Sequence, residues 1–408
     1  MLSNVPGAML PAEEQFRILS DGVAEILPLD EFRAKLERAV RTRTPLRVKL
    51  GCDPSRPDLH IGHAVVLEKL RQFQELGHTV IFIIGDFTAM IGDPSGRSKT
   101  RPALTLQETQ ANARSYFEQV GIVLDVARAE IRSNSEWLSR LTFADVIRVA
   151  AQVTVSQMLE RDDFHERFNR EQPIALHELL YPLAQGLDSV EVRADIELGG
   201  TDQRFNFLLA RELQKHAGQE PQAIVLMPLL EGTDGVQKMS KSLGNYIALL
   251  DPPREMFGKV MSIPDELIVR YYRYATFASA DQARAMEQQL RDGSLHPRDA
   301  KAMVAERLVA RYHGEDAARH AREEFDRMFR HKEVPEEIET VPLQLPMPLV
   351  EAVVAAGLVP SKSEARRLIA QGGVYVNGER VTDHAAVLAR GEHIVKVGKR
   401  RFVRIQTV

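Results

Sequence analysis

Two apolar runs of strand length, residues 46–52 and 79–85, flank a single helical stripe formed by Leu67, Leu70, Phe73 and Leu76. This spacing predicts a strand–helix–strand unit. Short apolar strands of this kind belong in a buried parallel sheet. The pattern returns at residues 193–199 and 223–229, with a helix predicted over 203–217 between them. Such alternation predicts an α/β fold, a Rossmann-like, doubly wound parallel sheet that binds its ligands at the carboxyl ends of the strands. The most distinctive loops of the chain fall at such ends.

The remaining segments read differently. Residues 1–45 look helical and polar, and Thr105 with Glu108 has the form of a capping box opening a helix to about residue 119. Residues 137–170 carry Leu138, Leu141, Val146, Val149, Val153 and Met158 among many charges, a stripe that suits core or a subunit interface; pattern alone favours core. From about 250 to 332 only helical periods occur. Residues 333–348, with four prolines and four acids, read as a linker. A small α+β unit follows over 349–408. It carries 10 Lys and Arg against 5 Asp and Glu, a basic tail on a chain of net charge -4, as expected of an RNA-contacting module. The single cysteine, Cys52, excludes an intrachain disulfide. No signal segment or membrane-length apolar run is present, so a cytoplasmic protein with no membrane association is expected.

Chemistry concentrates in a few loops. His60 and His63 stand at the start of the helix that follows the first strand, where free N–H groups and the helix dipole attract anions. Gly62 between them leaves room for a bulky group to approach the backbone. Such a pair suits nucleotide phosphates, and on spacing alone also suits helix capping or a zinc pair. Lys238, Lys241, Ser240 and Ser242 share a glycine-flanked loop. The Gly-rich turn 85–97 brings Asp93 near Arg97 and Arg101, which favours an ammonium at Asp93 and phosphate at the arginines. Tyr181, Gln185 and Asp188 fall at i, i+4 and i+7, one face of a helix, a polar set suited to an amino-acid zwitterion or a substrate hydroxyl. Residues 199–203 close a strand with two glycines and place Asp202 where it can accept from ribose hydroxyls.

The histidine and lysine motifs, in this order and separation, resemble the two signatures of class I aminoacyl-tRNA synthetases. With the Tyr181–Asp188 face, the Gly199–Gln203 segment and the stretch from Ser361 to Gly378, nearly the whole chain resembles the bacterial tyrosyl-tRNA synthetases. That last stretch resembles an S4-type RNA-binding domain. The resemblance implies a catalytic domain over 1–248 with N-terminal helices and a dimer-interface insertion. A helical anticodon-side domain (249–332), a linker (333–348) and an S4-like domain (349–408) follow. It implies a homodimer, against the pattern-based preference for core at 137–170. It implies that tyrosine reacts with ATP to give tyrosyl-adenylate and pyrophosphate, and that the tyrosyl group then passes to tRNA(Tyr). By motif position, His60, His63, Lys238, Lys241, Arg97 and Arg101 would be catalytic. Asp53, Ser55, Gly62, Gly200, Asp202, Lys241 and Ser242 would line the ATP site. Asp93, Tyr181, Gln185, Asp188, Gln203 and Lys49 would line the tyrosine site. Mg²⁺ is expected to accompany ATP, with no protein ligand evident and no resident metal.

Three departures stand out. Lys49 occupies a position where many members carry a tyrosine that touches the substrate phenol; its ammonium either serves the phenolic oxygen or points elsewhere. Ser55 replaces a more usual threonine, and Arg97 a more usual lysine. A tryptophanyl enzyme shares the fold and both motifs, but Asp188 and the S4-like tail argue against it. The helical and basic C-terminal segments argue against a nucleotidylyltransferase, and the intact motif pair against a non-catalytic RNA-binding protein.

Overall fold

The computed structural model describes residues 9–54, 58–94, 106–330, 339–398 and 401–407. The chain divides into two compact units, Met1–Ala318 and Arg319–Val408.

The first unit is built on a six-stranded sheet. Its strands are β1 (Glu25–Leu27), β2 (Arg47–Cys52), β3 (Thr79–Ile84), β4 (Ala129–Ser133), β5 (Ile196–Gly200) and β6 (Ala223–Met227), in the spatial order β1-β6-β5-β2-β3-β4. All neighbours are parallel except β1, which runs antiparallel along β6. The four strands read from apolar runs are all present. The two that were not read are edge strands: β1 has only three residues, and β4, Ala-Glu-Ile-Arg-Ser, is half-buried throughout and has no apolar run.

From β2 the chain winds outward through β3 to β4, then returns to β5 on the other side of β2. The order therefore reverses between β2 and β5, and the crevice at their carboxyl ends is where such sheets bind ligands. Helix Ile61–Glu75 leaves β2 and packs Leu67, Leu70 and Phe73 inward, as the stripe predicted. Helix Arg204–His216 leaves β5. Val48, Val80, Phe82, Ile196 and Val225 are fully or almost fully buried, which places the core between the sheet and its helices. Helices Pro253–Met261, Ile268–Tyr274, Ala280–Arg291 and Pro297–His313 complete this unit.

Residues 137–170 form four short helices, Ser135–Leu138, Phe143–Ala150, Val155–Met158 and Asp162–Asn169. Leu138 and Met158 are core, but Leu141, Phe143, Ile147, Val155 and Phe168 are exposed, Phe143 by 80%. Of the stripe, Val149 and Val153 also pack, partly buried, against core, Val146 is half-buried and Leu141 alone is exposed; the other four exposed residues lie outside it. A charged run interleaved with apolar residues does not reveal which apolar face is covered.

The second unit holds helices Leu349–Ala355 and Lys362–Ala370 against a five-stranded sheet, with Leu349, Val353, Ile369, Val395 and Ile405 fully buried between them. Residues 340–343, inside the stretch read as a linker, form a strand parallel to Arg401–Thr407.

Candidate active site

A cleft of about 660 Å³ opens at the carboxyl ends of β2 and β5, lined among others by Asp53, His60, Tyr181, Gly200, Asp202 and Lys241. Its two ends are built differently.

At one end, His60 caps helix Ile61–Glu75, and its backbone N–H donates to His63 Nδ1 at 3.2 Å. The two rings lie 3.8 Å apart, tilted by 40°. His60 Nδ1 is buried without a hydrogen-bond partner. Burial, reinforced by neighbouring positive charge that includes Lys241 and Lys238, holds His60 well below the usual imidazole value and His63 down to about 3. Both rings are therefore neutral at pH 7, each with one N–H to donate. A Cβ on Gly62 would come within 3.0 Å of the His60 ring and 3.7 Å of Met239, so only glycine leaves this approach open.

The lysine loop is held against this helix start by backbone bonds. Ile61 N–H donates to the Ile247 carbonyl, and Leu249 N–H to the Leu59 carbonyl, each at 3.0 Å. Asn245 braces the loop: its side-chain oxygen accepts from Ser240 N–H at 2.8 Å, and its amide donates to Asp234 at 2.7 Å. Lys238 Nζ lies 2.7 Å from Asp202 Oδ2. Lys241 Nζ donates to the Tyr116 hydroxyl at 3.0 Å and sits 4.9 Å over its ring.

At the other end, Tyr181, Gln185 and Asp188 share one face of helix Tyr181–Glu191, as their spacing predicted. Asp188 accepts from the Trp137 indole at 2.9 Å and from the Asn134 amide at 3.2 Å. Burial pushes its carboxyl up to about 7, against the pull of the Lys49 charge. The Tyr181 hydroxyl donates to Asp53 Oδ2 at 3.0 Å, and Thr88 donates to Asp53 Oδ1 at 2.7 Å. Burial and the Asp53 and Asp93 carboxylates push the Tyr181 phenol well up, so it stays protonated. Asp93 meets Arg161 Nη2 at 3.4 Å and accepts from Gln203 at 3.1 Å. Asn206 donates to Gln185 at 2.7 Å and to Gln203 at 3.0 Å.

One residue assigned to the tyrosine site is not in it. Lys49 has no exposed surface; its ammonium points behind the cleft, to Glu197 Oε1 at 2.6 Å and Ser189 Oγ at 2.9 Å. A charge on a central strand can be buried only against a counter-charge, and Glu197 on β5 supplies it. Ser55, Arg97, Arg101 and the Ser242 side chain lie outside the described residues. Sequence reasoning missed Thr88, Asn134, Trp137, Arg161 and Asn206. Only Trp137, the sole tryptophan of the chain, carried a signal that could have drawn attention.

Residues 41–330 match the family model of class I tRNA synthetases (W and Y), and residues 347–394 match that of the S4 domain. A tyrosine–tRNA ligase of Moorella thermoacetica is 53% identical over 395 residues, 96% of each chain. One of Thermotoga maritima is 52% identical, over 96% of this chain and 97% of that one. The tyrosyl-tRNA synthetase of Archaeoglobus fulgidus, solved in complex with L-tyrosine, matches with a TM-score of 0.63 at 27% identity, covering 77% of this chain and 100% of that one.

Proposed function

The chain belongs to the class I tRNA synthetases for tryptophan and tyrosine, and on that premise we propose that the two ends of the cleft read tyrosine and the ATP phosphates across a single reacting phosphorus. The enzyme is a tyrosine–tRNA ligase: it activates tyrosine with ATP to tyrosyl-adenylate and pyrophosphate, then transfers the tyrosyl group to the 3′ end of tRNA(Tyr). Attack of the tyrosine carboxylate on the α-phosphorus needs in-line positioning and donors aimed at charge growing on the phosphoryl and leaving oxygens.

The observation that carries the assignment is the backbone pairing of residues 59–61 with 247–249, which gathers the imidazoles and the lysines over one cleft. His60 and His63, neutral, donate N–H groups to the phosphates. Lys238 and Lys241 exchange Asp202 and Tyr116 for the departing pyrophosphate, with Ser242, Arg97 and Arg101 assisting. Gly62, Asp53, Ser55 and Gly200 border the nucleotide, and Asp202, once released, holds the ribose. Asp93, Tyr181, Gln185 and Gln203 take the α-ammonium end of tyrosine, and Asp188 accepts the phenolic hydroxyl. ATP–pyrophosphate exchange with each of the twenty amino acids tests this: tyrosine alone is expected to support it, and exchange driven by tryptophan would overturn it.

Mg²⁺ accompanying ATP would be held by ATP oxygens; among the described residues no three His, Cys, Asp or Glu side chains gather to hold a metal ion. Residues 1–248 act as the catalytic domain, 249–332 as the anticodon-side domain and 349–408 as the RNA-binding tail. Phe143, Ile147, Val155, Phe168 and Leu176 are large apolar side chains left exposed between residues 143 and 176, which supports the reading that this region packs against a second copy of the chain in a homodimer. Phe143→Asp should turn the dimer into monomers in sedimentation. Among the described residues no helix is long and apolar enough to cross a membrane. The tRNA substrate places the work in the cytoplasm.

A further inference from the structure

Lys49 is the one member of the expected tyrosine set that never reaches the cleft, and its surroundings give it another task. Its ammonium has three acceptors: Glu197 Oε1 at 2.6 Å, Ser189 Oγ at 2.9 Å and the Gln185 carbonyl at 3.3 Å. Two of the three lie on helix Tyr181–Glu191, which also carries Asp188, the neighbour of Ser189. Glu197 is pinned in turn, accepting from Ser189 Oγ at 3.0 Å and from the Gln222 amide. A buried ion pair is a poor device for stability, because packed apolar side chains of equal volume do as well or better. What apolar packing cannot supply is charge.

The charges acting on Asp188 come from two strands, Lys49 on β2 and Glu197 on β5, of opposite sign. The turn that faces it from residues 134–137 offers only neutral donors, the Asn134 amide and the Trp137 indole. Among the described residues, Lys49 is the positive charge that favours the carboxylate over the acid at Asp188. Burial alone works the other way.

We propose that Lys49 is a positioning residue for substrate selection: clamped by Glu197 behind the sheet, its fixed ammonium keeps Asp188 an acceptor for the tyrosine hydroxyl. This rests on the reading of Asp188 as the phenol's partner. In this chain a buried charge under the carboxylate takes the place of a second group touching the phenol.

The test uses Trp137, the only tryptophan in the chain, whose indole N–H is bonded to Asp188. Its fluorescence titrates with that carboxyl in the absence of substrate. Glu197→Gln removes the opposing carboxylate and leaves Asp188 to balance the buried Lys49 ammonium, which should move the midpoint down. Lys49→Met with Glu197→Gln removes both charges, keeps the Ser189 and Gln222 contacts, and should move it up by about one to three pH units. A purely structural role would leave the midpoint in place or shift both variants the same way, and either result overturns the proposal. Lys49→Arg keeps the charge and should keep the midpoint. In ATP–pyrophosphate exchange at about pH 7.5, the double variant should lose roughly tenfold of its preference for tyrosine over phenylalanine, regained at higher pH as the carboxylate returns. If the fluorescence midpoint moves as expected while the preference stays, the reading of Asp188 fails, and the selective role of Lys49 with it. If the midpoint does not move, Lys49 fails on its own account.

Discussion

The two ends of the cleft are finished to different degrees. Around the tyrosine end, Asp188, Tyr181, Gln185 and Asp93 each have side-chain partners before any substrate arrives. At the phosphate end, a buried His60 nitrogen has no partner, a glycine keeps one wall bare, and both lysines rest on groups they must leave. Recognition is built in advance, whereas the machinery for the chemical step is completed by the substrate. This division suits an enzyme whose first task is to choose and whose second is to stabilise a charge that exists only in passage.

The largest expected effect tests the unfinished end. Lys241 leaves a phenol for a pyrophosphate whose charge grows in the transition state. Its removal should therefore slow the chemical step and leave tyrosine affinity intact. One such donor is worth roughly 3 kcal/mol, so Lys241→Ala should cut adenylate formation about a hundredfold. Presteady-state adenylate formation, with tyrosine affinity measured alongside, checks this. A loss that falls chiefly on tyrosine affinity would erase the distinction between the two ends.

The next effect tests the finished end. A site built to pair a substrate hydroxyl rejects the analogue that lacks it, a rule for which tyrosyl enzymes are themselves the standard instance. Asp188→Ala removes the acceptor and leaves the hydroxyl of bound tyrosine unpaired, a loss that phenylalanine does not share. The cost of one such buried group, roughly 1–3 kcal/mol, predicts a ten- to hundredfold fall in the preference for tyrosine over phenylalanine. Exchange rates with the two amino acids decide it, and an unchanged ratio would mean that the phenol is read elsewhere.

Legibility in the sequence followed the same division. The phosphate end was readable because its residues are close neighbours in the chain: His60 and His63 in one turn, Lys238 and Lys241 in one loop. Tyr181, Gln185 and Asp188 were readable because a helix puts i, i+4 and i+7 together. Their supports were not, because Trp137, Asn134, Thr88 and Arg161 come from separate loops and meet only through the fold. Lys49 shows the limit most clearly. The resemblance to relatives alone put it among the tyrosine ligands, with the alternative that it points elsewhere left open. Only its pairing with Glu197, almost 150 residues later and on the adjacent strand, shows that it faces away.

The smallest effect separates the two ends by the sign of their response to pH. The imidazoles of His60 and His63 are depressed in the folded protein. Their contribution to stability is present above about pH 6.5 and is lost as pH falls toward the folded values. Asp188 is raised to about 7, so its contribution is present at low pH and is lost as pH rises through 7. Between pH 7 and 5 the two ends therefore pull in opposite directions, each by at most about 1.4 kcal/mol per pH unit and per group. His63→Asn should flatten the fall in thermal stability on acidification, and Asp188→Asn should steepen it. Tyrosine affinity should weaken by up to roughly tenfold per unit below pH 7 as the carboxylate is lost, in step with the Asp188 carboxyl and not with the imidazoles. A tyrosine affinity that stays level to pH 5 in the wild type and falls only with the histidines would show that the two ends act as one electrostatic unit.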